Sequence, residues 1–102
     1  MLCTVTVRRL KPGSFDAFRD AVQPQFWPAG LTNISVLRNQ EDPDEVCTIG
    51  HLDMSEEALE ELRDSPELVI AEAQRLERVA EFADTVIVNG VFELSDELRP
   101  AS

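Results

Sequence analysis

The sequence predicts an α+β fold, a ferredoxin-like βαββαβ sandwich in which helices pack on a four-stranded antiparallel sheet. Two observations lead to this prediction. Four segments alternate their side chains with a period of two, which is typical of strands, and two regions place apolar residues at helical spacing. The order along the chain is strand, helix, strand, strand, helix, strand, and with short connections this order is the split β-α-β topology.

The first half of the chain predicts one strand, one helix and a loop rich in aromatic residues. Residues 2–9 (LCTVTVRR) are rich in β-branched residues, and their two sides are Cys3, Val5 and Val7 against Leu2, Thr4 and Thr6. Ser14 can cap a helix that ends before Pro24 and whose apolar face is formed by Phe15, Phe18 and Val22. The loop that follows, QPQFWPAG, carries Phe26 and Trp27 between prolines.

The middle of the chain predicts a hairpin and then a helix. Residues 31–38 and 46–52 read as strands, and the polar segment NQEDPDE between them predicts the turn. Asp53 followed by Glu56 has the spacing of a capping box, and Ser55 is a rival cap. A helix is therefore expected to begin at this point.

A second helical segment and a last strand complete the predicted fold. Ser65 and Pro66 restart the helix as cap and first position, since proline lacks only an N–H that the first turn leaves unpaired. The apolar residues that recur along it at helical spacing are Val69, Ala73, Leu76, Ala80 and Ala83. Residues 84–94 (DTVIVNGVFEL) predict the fourth strand. We expect a single domain over residues 1–95 and a loose tail over residues 96–102.

Composition narrows the classes of partner. The 102 residues carry a net charge of −11, with 9 basic against 20 acidic residues, which argues against nucleic acid because phosphate contacts need Lys and Arg. The longest apolar runs, such as LVIA at residues 68–71, are too short for a membrane span. The N-terminal residues lack the pattern of a signal peptide, so a cytoplasmic location is expected, with Cys3 and Cys47 as free thiols. One histidine and two distant cysteines predict no zinc site and no other metal.

Both sides of every predicted strand carry apolar residues. Ile34 and Val36 oppose Leu37, for example, and Ile49 opposes Val46 and Leu52. Two helices can cover only one face of a four-stranded sheet, so the other face needs a partner. A second copy of the chain is the simplest partner, and the sequence therefore predicts a homodimer.

Two segments, DMSEEALEELRDSPEL and VRRLKPGSFDAFRDAV, resemble the antibiotic biosynthesis monooxygenase (ABM) family, whose members are dimeric α/β-barrel proteins. The resemblance covers nearly the whole chain. It implies a homodimer whose two sheets close into a barrel, and a small cavity between sheet and helices. Some members of that family oxidise polycyclic phenols or quinols with molecular oxygen and without metal or flavin, and others degrade haem.

The chain departs from that family's pattern at positions that bear on activity. Asp53 stands where members often carry a tryptophan, and Leu62 where they often carry a histidine. The haem-degrading members share an asparagine on the first strand, where this chain offers Thr4 and Thr6. Haem is therefore not expected as a ligand, and no cofactor is predicted.

His51, the only histidine, is the candidate catalytic residue. Its imidazole could accept a phenolic proton and so generate an anion able to reduce oxygen. The alternative is a histidine ring packed into a strand and hydrogen-bonded to a neighbour. Polar residues on the other strands, with the aromatic loop as a lid, give the candidate substrate-binding set: Phe26, Trp27, Thr6, Asn33 and Asn89.

Two classes of function are compatible with these residues. The first is a cofactor-independent monooxygenase that acts on a small phenol or quinol, with His51 as base. The second is a non-catalytic homodimer that binds a small apolar ligand or serves as an interaction module. A concave pocket that contains His51 would favour the first class.

Overall fold

The computed structural model describes residues 1–101 and has the predicted α+β architecture. Seven elements follow one another: β1 (Leu2–Leu10), α1 (Phe15–Val22), β2 (Leu31–Arg38), β3 (Glu45–Leu52), α2 (Glu56–Arg63), α3 (Pro66–Ala80) and β4 (Ala83–Glu93). The strands form one sheet in the order β2-β3-β1-β4, and each neighbouring pair is antiparallel. The ferredoxin-like prediction is confirmed, with the second helical region divided into α2 and α3.

The sheet has two unequal faces, which the alternation of β1 defines. Leu10 packs with Phe18 of α1 and Val79 of α3 in one buried cluster, so the even-numbered residues of β1 face the helices. We call this side the helix face. The odd-numbered residues of the same strand, Cys3, Val5 and Val7, lie on the opposite side, the open face, because successive side chains of a strand alternate.

The helix face is packed at its two ends by two separate apolar clusters. Around Phe18, whose side chain is 0% exposed, the first cluster contains Leu10, Ala21, Val22, Val46 and Val79. The second cluster is smaller and consists of Leu2, Leu52 and Leu59, with Leu31 and Met54 against it. On β1, the residues between Leu2 and Leu10 on this face are Thr4, Thr6 and Arg8, so a polar gap separates the two clusters.

The helices begin close to their predicted positions, although the capping differs. Ser55, the rival cap, holds the start of α2, because its hydroxyl accepts a hydrogen bond from the Ala58 N–H at 3.1 Å. The Asp53 capping box is therefore not the one used. Ser14 and Ser65 occupy the cap positions of α1 and α3 without a side-chain cap bond, and Pro66 opens α3 as predicted.

The apolar stripe predicted for α3 does not face the sheet. Val69 and Leu76 are 54% and 48% exposed, whereas Val79 is buried and Glu72 and Arg75 are half-buried. The helix also ends at Ala80, so Ala83 is the first residue of β4 and not part of the helix. Most of the stripe read from spacing is thus exposed in the single chain, and only Leu76 of it borders the space beneath the helix. The side that faces the sheet carries Glu72 and Arg75 as well as Val79.

The open face and the edge strand β4 leave apolar side chains uncovered. Exposed members of β4 include Val86, Ile87, Val88, Val91 and Phe92, and Leu37 of β2 is exposed as well. None of the helices among residues 1–101 has the length and apolar composition that a membrane-spanning helix needs. Residues 94–101 form neither helix nor strand.

Candidate ligand pocket

A cavity of about 510 Å³ lies between the helix face of the sheet and helices α2 and α3, in the gap between the two apolar clusters. Its floor is built from all four strands, and its walls come from both helices and from the loop before β2. The residues that line it include Thr4, Thr6, Arg8, Gly50, Leu62, Arg63, Leu68, Glu72, Arg75, Leu76 and Asn89. The middle of the sheet, where large apolar side chains are missing, is therefore hollow.

Gly50 keeps the floor of the cavity open. A Cβ atom at this position would lie 2.5 Å from the Thr4 Oγ1 atom, too close for the present arrangement. The same Thr4 hydroxyl accepts a hydrogen bond from the Gly50 N–H at 3.2 Å. Beside them, the Thr6 hydroxyl donates to Asn89 Oδ1 at 3.3 Å, which joins β1 to β4 across the floor. These groups offer hydroxyl and amide contacts to a ligand.

Arg8 brings a positive charge to the helix face. Its side chain is buried, with the residue only 5% exposed, and its guanidinium carbon lies 5.7 Å from the centre of the Phe18 ring. The Nη1 atom donates a hydrogen bond to Thr48 Oγ1 at 3.3 Å. Burial lowers the pKa of Arg8, the nearby Arg75 lowers it further, and Glu72 partly offsets both effects.

The inner side of α3 adds an ion pair to the cavity wall. Arg75 and Glu72 are three residues apart on the helix and their side chains form a salt bridge. Arg75 also donates to the carbonyl oxygen of Val22 at 3.4 Å, and Arg78 donates to that of Gln23 at 3.3 Å. Both arginines thus satisfy carbonyl groups at the C-terminal end of α1, which explains why charged residues face inward here.

The predicted site residues are divided between the two faces of the sheet. Thr6 and Asn89 line the cavity together. Cys3 pairs with His51 across β1 and β3, and Asn33 pairs with His51 across β2 and β3, so these residues belong to the open face. The sheet itself therefore separates His51 from the cavity.

On the open face, His51 is half-buried between the two neighbouring strands. Its Nε2 atom lies 3.2 Å from Ser35 Oγ on β2, and its Nδ1 atom lies 4.0 Å from Cys3 Sγ on β1. This arrangement corresponds to the packed ring that sequence reasoning held as the alternative to a base. That His51 acts as a base stays a prediction.

The aromatic loop borders a second, smaller cavity of about 230 Å³. Trp27, which is 46% exposed, lines this cavity with Pro24 and Ile34, and both of the latter also line the larger one. Phe26 is half-buried in the same loop. Gly30 ends the loop with a φ of +98°, and its carbonyl oxygen accepts from the Asp53 N–H at 2.7 Å. Trp27 is thus placed next to the main cavity rather than over its centre.

Sequence reasoning did not identify Arg8 as a pocket residue. The signal was present, because Arg8 shares strand parity with Leu2 and Leu10, the two apolar residues that the helices cover. Glu72 and Arg75 gave no such signal, since their helix offers a more apolar face elsewhere. Among residues 1–101, no group of three or more His, Cys, Asp or Glu side chains is arranged to hold a metal ion.

No protein-family model and no curated protein matches the chain in sequence. Its fold, however, matches solved structures. A proposed antibiotic biosynthesis monooxygenase from Chloroflexus aurantiacus superposes with a TM-score of 0.69 at 15% identity, over 96% of both chains. SnoaB, a cofactor-independent oxygenase from Streptomyces nogalater, gives 0.64 at 14% identity over 97% of both. A Mycobacterium tuberculosis protein gives 0.63 at 20% identity, over 96% of this chain and 98% of that one.

The chain has the fold of the antibiotic biosynthesis monooxygenases. The resemblance read from the sequence is confirmed at the level of fold. The ABM fold also gives meaning to the two departures from the family pattern. Leu62, at the position where the resemblance places a histidine, lines the cavity, whereas Asp53 is exposed directly after β3. An apolar side chain therefore stands in the pocket wall at the position where the resemblance read from the sequence implies an imidazole.

Proposed function

We propose that this chain is a cofactor-independent, monooxygenase-like protein that binds a small aromatic compound of the phenol or quinol type. The observation that carries the proposal is the cavity of about 510 Å³, a volume within the range of pockets for small ligands. Its wall combines leucine side chains with a few hydroxyl, amide and charged groups, which suits a flat apolar ring with polar substituents. The likeness in fold to SnoaB, a cofactor-independent oxygenase, supports the class of reaction.

In that reaction the aromatic substrate itself supplies the electrons that reduce oxygen. With an anthrone, for example, one CH2 group becomes a carbonyl, one oxygen atom enters the product and the other leaves as water. The contribution of the chain is to hold the ring in a dry pocket. Leu52 and Leu59, buried at one end of the cavity, and Leu62 in its wall provide the apolar surface that excludes water.

The second candidate is a non-catalytic homodimer of the same fold that binds a small ligand or serves as an interaction module. A specific observation favours it. Among the cavity-lining residues in the described part of the chain there is no histidine, and the one carboxylate, Glu72, is already paired with Arg75. A general base inside the pocket would have to be free to accept a proton.

Filling the cavity tests whether the pocket is the functional site. In the Leu68→Trp variant a larger ring occupies space inside the cavity, and the matched control Val69→Trp adds the same ring to the exposed side of α3. We expect Leu68→Trp to weaken binding of anthracene-9-carboxamide by at least about tenfold, measured by fluorescence titration, and Val69→Trp to change it less than about twofold. Equal effects of both substitutions would contradict a ligand site in this cavity.

Oxygen uptake then separates the two candidates. Wild-type protein is mixed with anthrones and hydroquinones, and oxygen consumption is followed with an electrode. Uptake above the rate in buffer that disappears in Leu68→Trp and persists in Val69→Trp would support the oxygenase. Ligand binding without uptake would favour the non-catalytic module.

We further propose that the protein is a homodimer joined through the open face. Two features support this: the apolar side chains Val5, Val7 and Ile49 at the centre of that face, and the exposed Val88 and Phe92 on its edge strand.

Light scattering should give twice the chain mass of 11.4 kDa at micromolar concentration. Val88→Asp should shift the mass toward the monomer, while Ala73→Asp, which adds the same charge to the exposed side of α3, should leave it unchanged. A monomer mass for the wild type at all concentrations would contradict the dimer.

A further inference from the structure

We propose that the pocket selects an aromatic ligand that carries a carboxylate, and that Arg8 is the residue that binds this anionic group. The inference rests on the proposed function, because it assumes that the cavity is a ligand site, and it adds the charge of the ligand. Arg8 lies in the floor of the cavity, on the same face of β1 as Thr4 and Thr6. The apolar wall would contact the rings, and the guanidinium would contact the carboxylate at their edge.

Arg8 is a buried cation without an anionic partner. The residue is 5% exposed, and in residues 1–101 no carboxylate oxygen lies within 4.0 Å of its guanidinium. A guanidinium carries five N–H donors, and a charged group taken out of water is costly unless it is paired. The fold therefore keeps at this position a charged group whose burial costs free energy, although an apolar residue could fill the same space.

Only one of the three guanidinium nitrogens of Arg8 has a hydrogen-bond partner among residues 1–101. The Nη1 atom donates to Thr48 Oγ1, and the Nε and Nη2 atoms donate to no other group in that part of the chain. In the described part of the chain, no side-chain nitrogen or oxygen is both sealed from solvent and without a hydrogen bond. The remaining N–H groups of Arg8 are therefore not fully sealed from solvent. Arg8 lines the cavity, and a planar fork of donors fits a carboxylate bound there.

The charge of the cavity wall is opposite to that of the protein. Three of the 9 basic residues of the chain line the cavity (Arg8, Arg63 and Arg75), but only one of its 20 acidic residues, Glu72, does so. Glu72 is neutralised by its salt bridge to Arg75. The chain as a whole carries −11, so a positive pocket stands within a negative surface. The acidic surface of the protein repels an anion, whereas the arginine side chains of the cavity wall attract it.

The proton equilibrium of Arg8 points in the same direction. Burial and the neighbouring Arg75 lower the pKa of Arg8, which means that its surroundings disfavour the positive charge. A carboxylate at the guanidinium would reverse this effect, because an opposite charge favours the protonated form. A carboxylate bound at Arg8 would therefore stabilise the charged form of its guanidinium.

The preference of the pocket for a carboxylate can be measured with two ligands of nearly the same shape. Anthracene-9-carboxylate is ionised at pH 7, and anthracene-9-carboxamide is its neutral isostere. Fluorescence titration of the wild-type protein should show tighter binding of the carboxylate by at least about tenfold, since charge-assisted hydrogen bonds in a desolvated site are the stronger kind. Arg8→Gln and Arg8→Met should bring the two affinities within about twofold of each other.

The variants are chosen to keep the pocket folded. Arg8→Met preserves an unbranched chain against the Phe18 ring. Thermal melting of both Arg8 variants is measured before titration, to check that they are folded. Arg99→Gln is the matched control, because it removes one positive charge from the exposed tail and should retain the full preference for the carboxylate.

The outcomes distinguish the two levels of the proposal. If the wild type binds the carboxamide as tightly as the carboxylate, or if Arg8→Met keeps the preference, the role of Arg8 is overturned while the pocket remains a ligand site. If neither compound binds, both the inference and the proposed function on which it rests are overturned.

Discussion

The His51 imidazole lies across the sheet from the cavity, and its replacement separates a structural role from a catalytic one. In the His51→Ala variant the contact between Nε2 and Ser35 Oγ, 3.2 Å long, is lost. A hydrogen bond of this kind contributes a net stability of about 0.5–1.5 kcal/mol. For a domain of this size each kcal/mol corresponds to roughly 4–8 °C in melting temperature, so the expected decrease is roughly 2–12 °C.

A double-mutant cycle with Ser35→Ala assigns that loss to the hydrogen bond. Each single variant removes one partner, so the double variant should be less destabilised than the sum of the two by about 0.5–1.5 kcal/mol. Melting temperatures are measured at one fixed protein concentration, because a dimer melts in a concentration-dependent way.

The functional readout uses the same His51→Ala protein. Because the sheet lies between His51 and the pocket, the affinity for anthracene-9-carboxamide should stay within about twofold of the wild type, as should any oxygen uptake. A catalytic base contributes about 10²–10⁴-fold to rate. An uptake that falls by about a hundredfold or more, with an unchanged melting temperature, would refute the structural role and restore His51 as the base.

Two further predictions concern stability. The Phe18 side chain is fully buried and joins α1 to the sheet. Phe18→Ala should therefore lower the free energy of unfolding, measured by urea titration, by about 3–5 kcal/mol. A loss below about 1 kcal/mol would contradict the central place of Phe18 in the first cluster. Asp42→Asn removes the partner of Arg9, whose hydrogen bond lowers the pKa of Asp42 below its ordinary value of 3.8. The wild type should therefore have a higher melting temperature than this variant at pH 7. The difference in melting temperature should vanish as the pH falls below 3.8 through the lowered pKa of Asp42. A difference that grew with acidity would contradict a lowered pKa.

The strands could be predicted closely because their signal is local. Residues 31–38 were predicted as a strand and form β2 with the same bounds, and β1 and β3 differ from prediction by one residue each. Alternating β-branched residues bounded by turn residues leave few other conformations. The starts of α2 and α3 were equally local, since Ser55 and Pro66 act within one turn of the helix.

The orientation of α3 could not be predicted from hydrophobic spacing. A stripe through Val69 and Leu76 is the most apolar side of the helix, yet it is exposed in the single chain. The side that faces inward contains Glu72 and Arg75, which satisfy each other and the end of α1. An interpretation from hydrophobic periodicity places charged side chains on the solvent side of a helix. It is wrong where those side chains have hydrogen-bond or ion-pair partners inside the fold.

The division of polar strand residues between two faces depends on register, which a single sequence does not contain. Parity within β1 separates Cys3 from Thr4, but only the pairing of Cys3 with His51 decides which face receives the histidine. A shift of one residue in that pairing would have moved His51 into the cavity. Parity alone places Arg8 on the same side of its strand as Leu2 and Leu10, and the structure shows that the helices cover this side. In this chain the charged residue in parity with the buried ends of the central strand β1 lies in the pocket, whereas the lone histidine on the neighbouring strand β3 lies across the sheet from it.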